Sequence, residues 1–167
     1  MQTLTTTSRT MPAPGFLILS VATMIPASLA ALSDVRTARL PNRLVALAAF
    51  PALLLLFVEM MRGHAGAAAY IVGGSALMAL PLLAIHVVSP KAMGFGDVKL
   101  AAALGLALGT VDPRLTVVAI CVASAVTGMI GMVTRRTSLP FGPGLVVGTT
   151  IAWAAGGLIG MELMPWR

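Results

Sequence analysis

Charge is scarce in this chain. Asp, Glu, Lys and Arg make up 10% of its 167 residues, and only five are acidic. Soluble domains carry about 25% charged residues, so an ordinary cytosolic enzyme, a disordered tail and a nucleic-acid-binding domain are all excluded. Cysteine is nearly missing as well. Cys121 stands alone within LTVVAICVASAV, which rules out a disulfide framework or a cysteine-based zinc site within one chain. The two histidines, His64 and His86, fall at the ends of apolar runs without ligand spacing, so no metal and no cofactor is expected.

What remains is 58% hydrophobic, with a mean hydropathy of +0.98. Apolar runs cover about 16–32, 44–61, 65–88, 98–111, 115–133 and 145–164. None shows the two-residue alternation of a barrel strand, and about 20 apolar residues cross a bilayer as a helix. The expectation is an all-α membrane protein, a single bundle of about six transmembrane helices over 16–167 behind a loose amino-terminal tail at 1–15. The fourth run is short and carries Lys99 near its start, so it should begin among the headgroups. Pro51 and Pro81 fall inside the second and third helices, where kinks are expected. Gly105/Gly109, Gly144/Gly148 and Gly156/Gly160 allow close helix approach, and the eleven methionines read as packing. A cleaved signal peptide ending near Ala30 is the weaker reading of the start, because the chain stays hydrophobic beyond it.

Six spans put the first, third and fifth loops on one side. These hold seven basic residues (Arg36, Arg39, Arg43, Lys91, Lys99, Arg135 and Arg136), against Arg9, Arg62, Arg114 and Arg167 elsewhere. The excess places the odd loops in the cytoplasm and both termini outside. The net charge of +6 therefore reads as topology and lipid contact, with no nucleic acid involved.

Carboxylates in or beside a bilayer are costly and are functional candidates by default. Glu59 and Glu162 lie near helix ends and are expected to reach the headgroups, and Asp112 opens a solvated Asp-Pro-Arg turn. Asp34 and Asp97 differ. One closes the first run, the other opens the fourth, and the charge count puts both on the cytoplasmic side. Two carboxylates brought together share a proton near neutrality. The charged one can deprotonate water while the protonated one donates to a substrate carbonyl.

Asp34 precedes Leu40-Pro41-Asn42, Asp97 ends Gly94-Phe95-Gly96-Asp97, and Pro140-Phe141-Gly142-Pro143 follows. In this order the three elements resemble the type IV prepilin peptidase family, membrane aspartic proteases with one catalytic Asp upstream of an (I/L)PN element and the other in a GxGD motif. The resemblance implies that Asp34 and Asp97 are catalytic. It also implies cleavage of the leader of prepilin-like precursors after a glycine, at the cytoplasmic face of a bacterial inner membrane. The larger bifunctional members carry a cytoplasmic insertion with paired cysteines and methylate the new amino terminus. That insertion is not seen here, so cleavage without methylation is expected, as in the short peptidases of Flp pilus systems. Preflagellin peptidases share the two Asp elements.

Each element has a physical reading too. Gly94 and Gly96 allow close backbone approach, and Asp97 at a helix amino terminus has its anion favoured by the dipole. Pro41 can begin helix two, and Asn42 can bond exposed backbone. Pro140 and Pro143 stiffen the last loop, while Gly142 and Gly144 let it turn. Lys99 either snorkels toward the lipid headgroups or holds Asp97 ionised, and two-residue spacing on a helix favours the former. A small ion- or proton-coupled transporter is the alternative from another class. Both acids, however, lie at helix ends rather than at the midplane where transporter sites form.

Overall fold

The computed structural model describes residues 13–37, 40–90, 93–134 and 140–158. All regular structure among them is helical: α1 (Ala13–Thr37), α2 (Asn42–Met61), α3 (Ala65–Val88), α4 (Phe95–Gly109), α5 (Leu115–Thr134) and α6 (Gly142–Leu158). Of the expected tail, 1–12 lie outside the described residues, while Ala13–Gly15 belong to α1. Glu162, Gly160 and the basic residues Arg9, Arg39, Lys91, Arg135, Arg136 and Arg167 also lie outside them.

Ile18–Arg36, α2, α3 and α5 are each long and apolar enough to cross a bilayer. Their outward faces carry large apolar side chains such as Ile25, Phe50, Phe57, Leu80 and Met129, as lipid contact requires. The chain is a multi-pass membrane protein. Pro51 and Pro81 are housed within unbroken helices.

The short fourth run turns out to be the middle of the bundle. Helix α4 touches all five other helices, and nearly every residue from Asp97 to Gly109 is buried. A helix sheathed by protein has little need of lipid-facing bulk; it needs close approach instead. A Cβ on Gly105 would stand 2.6 Å from the Gly74 carbonyl oxygen, and one on Gly109 would stand 2.7 Å from that of Ile71. The α3–α4 seam is thus glycine against glycine, braced by the Ser75 hydroxyl donating to the Ala102 carbonyl at 3.0 Å. Gly144 and Gly148 serve α6 against α5 in the same way, meeting Ala123 and Ala119.

Helix ends differ from the ends of the apolar runs because backbone hydrogen bonding does not stop at the first polar side chain. Helix α1 continues through Ser33, Asp34, Val35 and Arg36, which puts Asp34 on its last turn. Helix α6 begins at Gly142, so Gly142, Pro143 and Gly144 form its first turn and not a loop. Proline fits there because first-turn amides need no helical partner.

Glu59 corrects a sequence expectation. It does not reach the headgroups; its side chain is fully buried, 2.6 Å from His64 Nδ1 and 3.2 Å from Arg62 Nη1. The α2–α3 turn folds these two partners back over it. Replacing His64 by alanine takes away one partner of a buried carboxylate, which costs about 1–3 kcal/mol. We expect the variant to melt several degrees lower in detergent by fluorescence-monitored unfolding. Asp112 behaves as expected, its Oδ1 accepting from the Arg114 amide at 2.7 Å.

Candidate active site

Three helix ends meet on one face of the bundle: the last turn of α1 and the first turns of α4 and α6. Asp34 projects from the first and Asp97 from the second, each under a tenth exposed. Asp97 is the third residue of α4. Its carboxylate turns back to the amide of the N-cap residue Gly94, and its own amide bonds the Gly94 carbonyl at 3.1 Å.

Gly142, at the amino terminus of α6, stands between the two acids, its backbone N–H turned toward both carboxylates. A Cβ built on it would lie 3.2 Å from Asp34 Oδ2 and 3.6 Å from Asp97 Oδ1. Those same two oxygens are buried and have no hydrogen-bond partner among the described residues. Two acids distant in sequence therefore aim their uncommitted oxygens at one point.

The electrostatics follow from that placement. Burial, and then the Asp34 charge, push the Asp97 carboxyl up to about 6, against the pull of the Gly94 and Gly142 amides. The amino termini of α4 and α6 both point at the pair, and their dipoles favour one negative charge there. One charge and one proton across two carboxyl groups is the state that can activate water and protonate a carbonyl together.

The other motif residues frame a cavity of about 380 Å³ beside the pair, lined by Asp34, Asp97, Leu40, Asn42, Phe95 and Lys99 with the Gly94 and Gly96 backbone. Gly96 is there for Leu40: a Cβ would come within 2.9 Å of Leu40 Cδ1. Pro41 is the N-cap of α2 rather than its first residue, with extended φ −66° and ψ 120°, and its carbonyl accepts from the Leu44 amide. Asn42 meets a side chain. Its Oδ1 accepts from Lys99 Nζ at 3.1 Å. Lys99 also lies 5.0 Å above the Phe95 ring and so ties α4 to α2 at the cavity rim. Pro140 lies outside this cavity, in the segment leading into α6.

Two supporting residues were not legible beforehand. Phe95, the variable position of its motif, carries Lys99 on its ring and stands 5.4 Å from the His86 ring. His86 Nδ1 lies 2.7 Å from the Met93 carbonyl oxygen, which anchors the approach to Gly94. The only sequence signal was a histidine in the last turn of α3, where a helix terminus attracts such a group. Among the described residues, no three His, Cys, Asp or Glu side chains gather as a metal site.

Neither the curated proteins nor the solved structures compared with the chain give a match. A family model does match, over residues 17–133, which includes Asp34 and Asp97 and stops short of Gly142. It covers well over half of the sequence, and by it the chain belongs to the type IV leader peptidase family.

Proposed function

We propose that this peptidase is of the aspartic type, with Asp34 and Asp97 sharing one proton and activating one water. Its substrates are type IV or Flp prepilin-like precursors, cut at the cytoplasmic face of the inner membrane. The observation that carries this is the convergence of Asp34 Oδ2 and Asp97 Oδ1, both buried and uncommitted, on the Gly142 position. The excess of basic residues in the odd loops supports the cytoplasmic side, since the two acids lie at that end of α1 and α4. Cleavage without methylation is supported by cysteine content, because the one cysteine lies within α5 and not in a paired-cysteine insertion.

In the reaction, the ionised carboxylate takes a proton from water as its oxygen attacks the scissile carbonyl. The protonated carboxyl donates to the developing oxyanion; the carboxyl that took the water proton passes it to the nitrogen of the leaving segment as the C–N bond breaks, and the oxyanion's proton returns to its partner as the carbonyl re-forms. Leu40, Asn42, Phe95 and Lys99 border the space in which the leader strand would lie, with the Gly94 and Gly96 backbone open to it.

The test is a purified, lipid-reconstituted enzyme incubated with a precursor whose basic leader ends in glycine before an apolar segment. The product should begin at the residue after that glycine and acquire no label from S-adenosylmethionine. An intact precursor, or a cut elsewhere, would overturn the reading.

The pH profile carries a sign. Above pH 6 the fraction with Asp97 protonated falls tenfold per unit, so kcat/KM should rise as pH drops from 8 toward 6. At still lower pH the pair becomes doubly protonated and the rate should fall again, giving two apparent values that belong to the pair. A flat profile between pH 6 and 8 would speak against a shared proton.

A further inference from the structure

A second cavity, of about 280 Å³, is lined in part by the chain neighbours of Asp34 and Gly142 and is almost wholly apolar. Val35, Thr127, Ile130, Pro140, Pro143 and Val147 line it, from the end of α1, the last turns of α5 and the start of α6. It is joined to the site through the backbone. Val35 follows Asp34 on α1 and points outward, 58% exposed, while Asp34 points in. Pro143 follows Gly142, so the first turn of α6 shows one residue to the acids and the next to the groove.

We propose that this groove receives the apolar segment on the carboxyl-terminal side of the scissile bond. The proposal rests on the peptidase reading and adds which side of the substrate lies where. A chain held at the acids has two neighbouring spaces of different character. One is the cavity under Asn42 and Lys99, where polar and apolar surface are mixed; the other is the groove of valines, isoleucine and prolines. A polar leader loses hydration in the groove without gaining partners, whereas an apolar segment leaves water on entering it. Ile130 and Val147 are more than two-fifths exposed on the lipid-facing side, so a membrane helix can reach the groove laterally and remain in the bilayer. A free lipid chain could fill the same space. The substrate has the advantage of being tethered: once its scissile bond is at Asp34 and Asp97, the next residues are held near Val35, the chain neighbour of Asp34, and enter at high effective concentration.

Cross-linking tests the proposal. Ile130→Cys is made in a Cys121→Ser background, first with both acids intact to establish that a cysteine-free precursor is cut. If that precursor is not cut by this variant or by the unmodified enzyme, the peptidase reading fails, independently of the groove. With cleavage established, Asp97→Asn is added to hold the precursor uncut. A short bismaleimide is then offered to precursors with one cysteine several residues before or after the scissile bond. The expected result is at least a tenfold higher adduct yield from the position after the bond. Equal yields, a preference for the leader position, or no adduct while the precursor still copurifies would each overturn the proposal. As a second measurement, Val147→Trp should raise KM for the membrane-anchored precursor about tenfold. An unchanged KM would mean that the groove holds lipid or nothing the reaction uses.

Discussion

Asp97→Asn and Asp34→Asn should each cut precursor cleavage by at least about a thousandfold, and the double variant should be no slower than either single one. General acid and base groups contribute about 10²–10⁴ each, and members of one catalytic unit fail together rather than additively. Asparagine keeps the shape of the side chain but cannot carry the charge or share the proton. The fold has no need of those charges. Both acids sit under a tenth exposed beside one another, with Asp34 Oδ2 and Asp97 Oδ1 lacking hydrogen-bond partners among the described residues. A neutral amide in place of one of two adjoining buried acids lowers the cost of holding charge there, so the variants should melt at or slightly above the temperature of the parent enzyme. Loss of activity with retained stability is the signature of a reacting pair. Cleavage above about a tenth of normal by either variant, or additive losses in the double variant, would exclude a shared-proton mechanism.

Spans were legible in the sequence because bilayer thickness imposes a length on any apolar run, and α2 and α3 begin and end close to where their runs do. Boundaries were less legible where polar residues continue a helix. Asp34 closes the first apolar run in the sequence, and the helix runs on past it, leaving it on the last turn of α1. The centrality of α4 was invisible to hydropathy, which sees a short run with a lysine and not the five helices around it. The chemistry of the site was written locally in the Leu40–Asn42, Gly94–Asp97 and Pro140–Pro143 segments. That Asp34, Asp97 and Gly142 face one another is a property of three helix ends meeting, and spacing along a chain contains no information about that. Lys99 and Glu59 show the same limit. Each has a partner in the protein that its place near a helix end did not reveal, Asn42 for the first and His64 with Arg62 for the second.

Gly142→Ala should separate catalysis from stability more sharply than any other single methyl group. At the start of a helix, alanine in place of glycine ordinarily costs nothing and gains up to about 1 kcal/mol. Here the added carbon would lie 3.2 Å from Asp34 Oδ2 and 3.6 Å from Asp97 Oδ1, between the two oxygens we propose for hydrolysis. The first distance forces Asp34 to give way by a few tenths of an ångström, and the methyl occupies the approach to both. A misplacement of about 1 Å can cost about 100-fold when reacting groups must be aligned, so this smaller shift with a blocked approach should lower kcat by about tenfold or more while the melting temperature holds. Gly144→Ala, one step further along the same turn, predicts the reverse. Its methyl would strike Thr127 and come 2.9 Å from the Ala123 carbonyl oxygen, prising α6 from α5. That variant should melt earlier, with kcat per folded molecule much less affected. Equal effects of the two substitutions on kcat would mean that the start of α6 merely packs, and that Gly142 has no special place between the acids.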